Sequence, residues 1–466
     1  MTPSKSNPLS WLASLRLTVT LLALSMYLIF VGTLAQVENG IWWVVEHYFR
    51  EGTYGIVWVD FDVFRSLVYP GSAGNVSIFG IESHPFPSGF VIIALLLVNL
   101  LAAHAVRYKM TGKGAALGAG FGLVFVGSAI TAYTVLEPKT SAAIQQDVML
   151  MMLIWTVPMT LIGIGCYFIF GSRKAGIVLI HGGIILMLVG EYITGIGADE
   201  GQMWIHEKGS SSKIIDIREV EIAFVTPTGD RTQEHIIIPQ ELIEAADEDD
   251  TLIENQTLPL TVRIDAWMEN SDLLPSINGA DPTQVQYRAE EVPAVTGTEQ
   301  RADRPSVMAT LFRGGERIGQ HLLTTWEFVK PVEVEVDGKV WAVSLRFRET
   351  HLPYTIQLVD FRHDQFTGTT TPMNYSSTLR LEAPNSAESR DAFIKMNQPL
   401  RYDGKAFFQS GFFQQPLNRN LGTIMQVADN PGAWVPYLSC VIVTVGLCMH
   451  FVISLMRYGR RANARA

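Results

Sequence analysis

Apolar residues gather along this chain into six long runs, at about 14–34, 89–107, 115–136, 148–170, 176–197 and 433–456. A helix needs roughly 20 apolar residues to cross a bilayer, and each run is long enough. Between the fifth and sixth runs the pattern changes to short stretches that alternate apolar and polar positions. EVEIAFVTPTGDRTQEHIIIP reads as a hairpin around Thr228, Gly229 and Asp230, and VEVEVDGKVWAVSLRF as a second with Asp337-Gly338 as its turn. LTVRIDAWM, SVMATLF, YTIQLVDF and SSTLRLEA supply further strands, while the Gly- and Asn-containing stretch 271–305 reads as loops. The pattern predicts an integral membrane α-helical protein of about six transmembrane helices. A large mainly-β domain, 198–432, is inserted before the last helix as a sandwich or partly closed barrel with one solvated face.

Basic residues orient the spans. Lys5 and Arg16 flank the first, Arg107, Lys109 and Lys113 join the second and third, Arg173 and Lys174 join the fourth and fifth, and Arg457, Arg460, Arg461 and Arg465 follow the last. Six alternating spans put all of these on one side. Residues 1–13 and the tail 457–466 are then cytoplasmic, and 35–88, a link near 137–147 and the β domain lie outside. The first run is too long for a cleaved signal peptide, and GTLAQVENGIWW after it offers no small-residue cleavage site.

Composition narrows the function. The 466 residues carry a net charge of -10. Segment 198–432 holds 36 Asp and Glu against 21 Lys and Arg, a net of -15, which leaves +5 for the remainder. No basic patch points to nucleic acid, and EAADEDD at 244–250 reads as a solvated loop. Cys166, Cys440 and Cys448 all fall inside spans. The outer domain therefore has no disulfide and no C-x-x-C pair, and without C-x-x-C-H the chain is not itself a c-type cytochrome.

The chemistry lies in the polar residues within the spans, which are costly there and face a bundle interior or a cavity. His104 stands three residues before Arg107, His181 seven after Lys174 and His450 seven before Arg457. Helical rise puts His181 and His450 at matching depth, roughly 10 Å inside the boundary, and His104 roughly 6 Å shallower. Neutral imidazole is a common axial ligand of haem iron, and two histidines on facing helices can hold a b-type haem. Gly182 and Gly183 beside His181, and Ala102, Ala103 and Ala105 around His104, leave room for a macrocycle. The same small residues equally serve close helix packing. Zinc fits less well, because no span carries a Cys or second His at ligand spacing. Glu191 reads either as a proton or quinone group or as a headgroup-level side chain, and Asn99 as a bond between helices. Trp42, Trp43, Tyr48, Phe49, Tyr54, Trp58 and Phe61 suit interfacial anchoring, or a platform for a flat cofactor. His47, His84, His206, His235, His321, His351 and His363 form no cluster in sequence. His84, in ESHPFPSGF just before the second span, is the one best placed for a role.

GTLAQVENGIWWVVEHYFR, LLLVNLLAAHAVRYK, KAGIVLIHGGIILMLVGEYITGIGADEGQMWIHEKG, LPYTIQLVDFRHDQFTGT, NYSSTLRL, PLRYDGKAFFQSGFF and NPGAWVPYLSCVIVTVGLCMHFVISLMRY follow one another in an order that resembles the ResB (CcsB) family of System II cytochrome c biogenesis proteins. The resemblance covers nearly the whole chain except about 112–172, where the third and fourth runs are additional to the family's pattern. It implies a bacterial inner-membrane protein with its large domain on the periplasmic side. Such a protein would handle and export haem b and present apocytochrome c for covalent attachment, with a CcsA-like partner and thiol-reducing factors. It also implies that the chain is at most part of a holocytochrome c synthase complex and not catalytic alone, since Trp42-Trp43 lacks the partner's tryptophan-rich motif. On this reading His181 and His104 are the iron ligands, His450 is a further candidate, and His84 and Glu191 are secondary. Two other readings compete: a b-type cytochrome subunit of a quinol-linked electron-transfer complex, and a cofactor-free assembly scaffold.

Overall fold

The computed structural model describes residues 8–50, 55–65, 80–137, 147–229, 232–276, 286–293, 295, 303–368, 372–382, 390–414 and 421–464. Its helices are α1 (Pro8–Leu12), α2 (Leu15–Val44), α3 (Gly89–Arg107), α4 (Gly114–Leu136), α5 (Val148–Phe170), α6 (Ala175–Gly197), α7 (Gln240–Glu248) and α8 (Val435–Asn463). Six of them are long and apolar enough to cross a membrane, and a mainly-β region separates α6 from α8.

The spans associate through small residues, as helices must where lipid removes the hydrophobic drive. Gly176, Gly183 and Gly190 recur every seventh residue and so share one face of α6. A Cβ on Gly176 would lie 2.8 Å from the Gly446 carbonyl, one on Gly183 2.6 Å from Val443, and one on Gly190 2.3 Å from Val435. α6 and α8 therefore run antiparallel in close contact. Gly120 and Gly165 bring α4 and α5 together in the same way, each within about 3 Å of the other's carbonyl. α1, α2 and α3 are tied to one another by Asn99. Its carbonyl accepts from Thr18 Oγ1 at 2.7 Å and its amide donates to Ser14 O at 3.2 Å, the bond between helices that its position suggests.

The β region holds a ten-stranded antiparallel sheet and a four-stranded one. Strand Lys339–Gln365 is the spine of the larger sheet, pairing with Val332–Val336, Ser210–Pro227 and Pro372–Glu382 along its 27 residues. Val336 and Lys339 close the expected two-residue turn, with Asp337 (φ 52°) and Gly338 (φ 77°) both left-handed, as a type I′ hairpin requires. Two apolar cores result. One is centred on Phe224, Val262, Val307 and Val343 between the sheets. The other lies inside the curl of the large sheet around Met203, Ile356, Phe407 and Met425. Strands Asp199–His206 and Leu421–Asp429 pair from Asp199↔Asp429 to His206↔Gly422. The domain thus begins and ends side by side, against α6 and α8.

Several boundaries differ from those read in sequence. α2 runs past residue 34 to Val44, bending at Gly40 (φ 77°), and continues as a π-helical turn, Val45–Arg50. α8 extends through the basic tail to Asn463, because arginines there keep the helix and merely carry it into water. EAADEDD is not a loop. Its first five residues complete α7, whose Ile243 and Ala246 are buried at helical spacing while the carboxylates face out. Within 271–305, Ser271–Ser276 pairs with Gln286–Glu291 as a hairpin. Asp230, Tyr54 and most of the link 137–147 lie outside the described residues.

Candidate functional site

The last turn of α3 places His104 four residues before Tyr108, so the two rings lie over each other at 4.6 Å and 17°. α6 brings His181 edge-on to both, 4.9 Å from His104 at 78° and 6.3 Å from Tyr108 at 89°. Lys174, about two turns before His181 on the basic side, holds its ammonium 5.8 Å from the Tyr108 ring and donates to Arg107 O at 3.1 Å. The histidine pair therefore sits under a lid of Tyr108 and Lys174.

His104 Nδ1 lies 2.8 Å from Leu100 O. A carbonyl only accepts, so Nδ1 carries the proton and the Nε2 lone pair is free. That Nε2 is buried and bonds nothing, and His181 Nδ1 is likewise buried without a partner. An imidazole fixed through Nδ1–H to a backbone carbonyl, with Nε2 open, is how proteins orient a histidine ligand. Among the described residues no group of three or more His, Cys, Asp or Glu is arranged to hold a metal ion. A bare cation is therefore poorly served here. A metal that brings its own four equatorial donors, as haem does, needs only axial imidazole. The donor set fits haem, although edge-to-face contact leaves no space for a macrocycle between the two rings as they stand. Gly182 flanks the pair with no atom within 4 Å of where its Cβ would be, whereas Gly183 is committed to packing on α8.

His450 does not share this level. Its Cβ packs on Gly176, five residues nearer the basic end than His181, about 7 Å along the helix. His104, expected to be shallower, is level with His181. The depths differ from those expected because basic side chains reach several ångströms and so mark a boundary only loosely. Arg107 turns back to donate to Ala13 O at 2.7 Å, and Arg457 reaches Ser172 Oγ.

His84 lies at the other end of α3, on strand Ser83–Pro87. Its Nε2 is 2.9 Å from the Tyr27 hydroxyl, its ring stacks on Phe61 at 5.1 Å, and its Nδ1 is buried without a partner. Glu191 is exposed and adjoins Gly190, which packs on Val435 at the start of α8. It therefore stands near the domain-side boundary, away from the histidines. Trp43 stacks on His47 at 4.1 Å, and Trp42 lies 4.5 Å from the Arg218 guanidinium. Trp43 is thus engaged in packing, and Trp42 in a contact between the β domain and α2. Tyr108 was missed in sequence, and its signal was the four-residue spacing from His104.

Residues 326–422 match the model of the ResB-like family. This stretch is ResB-like. It comprises the spine strand, the hairpin that follows it and the FFQSGFF strand, and so the outer part of the large sheet. Protein NrfI of Wolinella succinogenes is 28% identical over 111 residues, which cover 24% of this chain and 12% of that protein. The histidine pair lies outside the ResB-like stretch, so its role rests on geometry.

Proposed function

We propose that this chain is a membrane component of cytochrome c biogenesis. It takes haem as cargo at His104 and His181 in the cytoplasmic leaflet of a bacterial inner membrane, and its β domain works on the periplasmic side. The ResB-like match and the likeness to Protein NrfI support the pathway. The observation that carries the site is the pair of buried, unbonded ring nitrogens on facing helices. Haem there would supply the ferrous or ferric iron that an axial imidazole ligates. His104 offers Nε2, Leu100 O fixes its tautomer, Tyr108 shields the ring from the basic side, and Gly182 leaves an open flank. The β domain presents apocytochrome c or docks a CcsA-like partner, and thiol-reducing factors keep the apocytochrome thiols free.

The test is a reduced-minus-oxidised spectrum of the purified chain, alone and co-expressed with a CcsA-like partner, for the parent, His104→Ala and His181→Ala. A b-type signal lost in both variants supports the site, and substoichiometric, exchangeable haem marks cargo. Tight stoichiometric haem would instead favour a resident electron-transfer cofactor. An unchanged signal in both variants would sink the assignment.

A further inference from the structure

The spine strand outruns its neighbour. Pairing with Ser210–Pro227 ends at Gln357↔Ser210, while pairing with Pro372–Glu382 continues to Gln365. Lys208 N donates to Leu358 O at 2.8 Å, at the turn that follows strand Asp199–His206. That turn is the far end of the domain, since its strand starts one residue after α6. Residues beyond Leu358 therefore form a ribbon at the mouth of the curled sheet, remote from the helices.

Four rings meet at this mouth. His363 is directly opposite Tyr375 in register and stacks on it at 5.0 Å and 12°. Phe412, from strand Lys405–Gln414, covers both, 4.7 Å from His363 and 5.4 Å from Tyr375, with Phe361 5.8 Å beyond. His363 Nε2 is buried among them and bonds nothing. Leaving a buried polar atom unpaired costs on the order of 1–3 kcal/mol, so it calls for an explanation. The deeper polar cluster of the same sheet is closed by contrast. Ser377 donates to Gln409 Oε1 at 2.6 Å, and Gln409 Nε2 lies 2.8 Å from Thr423 Oγ1. The rim beyond His363 is apolar, with Phe366 and Met373 half exposed.

Among the described residues no group of three or more His, Cys, Asp or Glu is arranged to hold a metal ion, so an imidazole walled by aromatic rings serves a bare cation poorly. It suits a metal that already has its equatorial ligands and is surrounded by a flat apolar skirt. We propose that this mouth is a second station for a metalloporphyrin, with His363 Nε2 as axial ligand and Tyr375, Phe412 and Phe361 as its apolar wall. The proposal rests on the haem-handling reading and places a receiving site within the ResB-like stretch, on the far side of the domain from the spans.

The experiment is a titration of the purified full-length chain with ferric haem, read by Soret absorbance. Parent, His363→Ala, His363→Phe and the double variant His104→Ala/His181→Ala are compared, with thermal melts of each. The parent is expected to bind two haems. Each His363 variant should keep the span haem and weaken the other by at least about tenfold, and added imidazole should restore it to His363→Ala. The aromatic replacement fills the space and guards against a trivial folding defect. A His363→Phe protein that melts like the parent and binds haem as the parent does overturns the proposal. Loss in the double variant alone leaves the span site standing and this one fallen, and loss in the His363 variants alone does the reverse.

Discussion

His104 and His181 meet edge to face, 4.9 Å apart, and each keeps a buried ring nitrogen without a hydrogen bond. Gly182 stands beside them in open space, while Gly183, the next residue, is pressed against Val443 and the Ser439 carbonyl. The two glycines therefore predict opposite outcomes. Gly183→Leu should separate α6 from α8 and abolish recovery of monodisperse protein in detergent. Gly182→Leu should fold normally and reduce bound haem. Size-exclusion profiles and Soret absorbance on the two variants check this.

Arg348 joins the floor of the domain to the end of α6. It pairs with Asp199 at 2.9 Å, Asp216 at 2.7 Å and Glu219 at 2.9 Å. Asp216 is nearly inaccessible and also accepts from the backbone amides of Arg218 and Glu219. Arg348→Met removes the charge that balances it, at a cost of about 1–3 kcal/mol. The melt of the domain in the intact chain should fall by several degrees, and Asp216→Asn in the same background should recover part of the loss.

His235 gives the β domain an acid-sensitive element. Burial, then Arg346 and His351 close by, hold its imidazole below the ordinary histidine value, against a weaker opposite pull from Glu349 and a further push from Lys213. Arg346 Nη2 donates to its Nδ1 at 3.3 Å, which requires the neutral ring. Unfolded, the ring takes a proton near pH 6.5, whereas folded it resists until lower pH. The unfolded state thus binds more protons in that window, and stability falls as the pH drops below about 6.5. Melting curves between pH 7.5 and 5.5 should show that decline in the parent, and a shallower one in His235→Gln.

Arg218 over Trp42 is a contact between the β domain and the end of α2. Such a contact is worth about 0.5–1 kcal/mol at a partly exposed site. Arg218→Ala should leave the melt of the domain nearly unchanged and speed hydrogen exchange in 41–50. Unaltered exchange there would mean that the contact fastens nothing.

Much of this architecture was legible in the sequence, for separable reasons. The six spans announce themselves because length and apolarity alone decide whether a helix can cross. The Asp337-Gly338 hairpin was readable because few residues tolerate two left-handed positions in succession. α7 was hidden because six carboxylates in ten residues mask the two apolar positions, Ile243 and Ala246, that dock it. The pairing of His104 with His181 was legible, but their common depth was not, because it depends on how far arginine and lysine side chains reach from their helices. The mouth around His363 depends on strand register: His363, Tyr375 and Phe412 come from three different strands and meet only once the sheet has formed.

One residue, Ala198, separates α6 from strand Asp199–His206, and five separate strand Leu421–Asp429 from α8. The two strands are bonded to each other along their length, and the two helices are packed closely through Gly176, Gly183, Gly190 and Gly446. No slack exists at that junction to absorb a change of tilt. Any rocking of α6 against α8 within the bilayer must emerge as sliding between the first and last strands. The first and last strands are thus the seam through which a change of tilt between the two helices would enter the β domain.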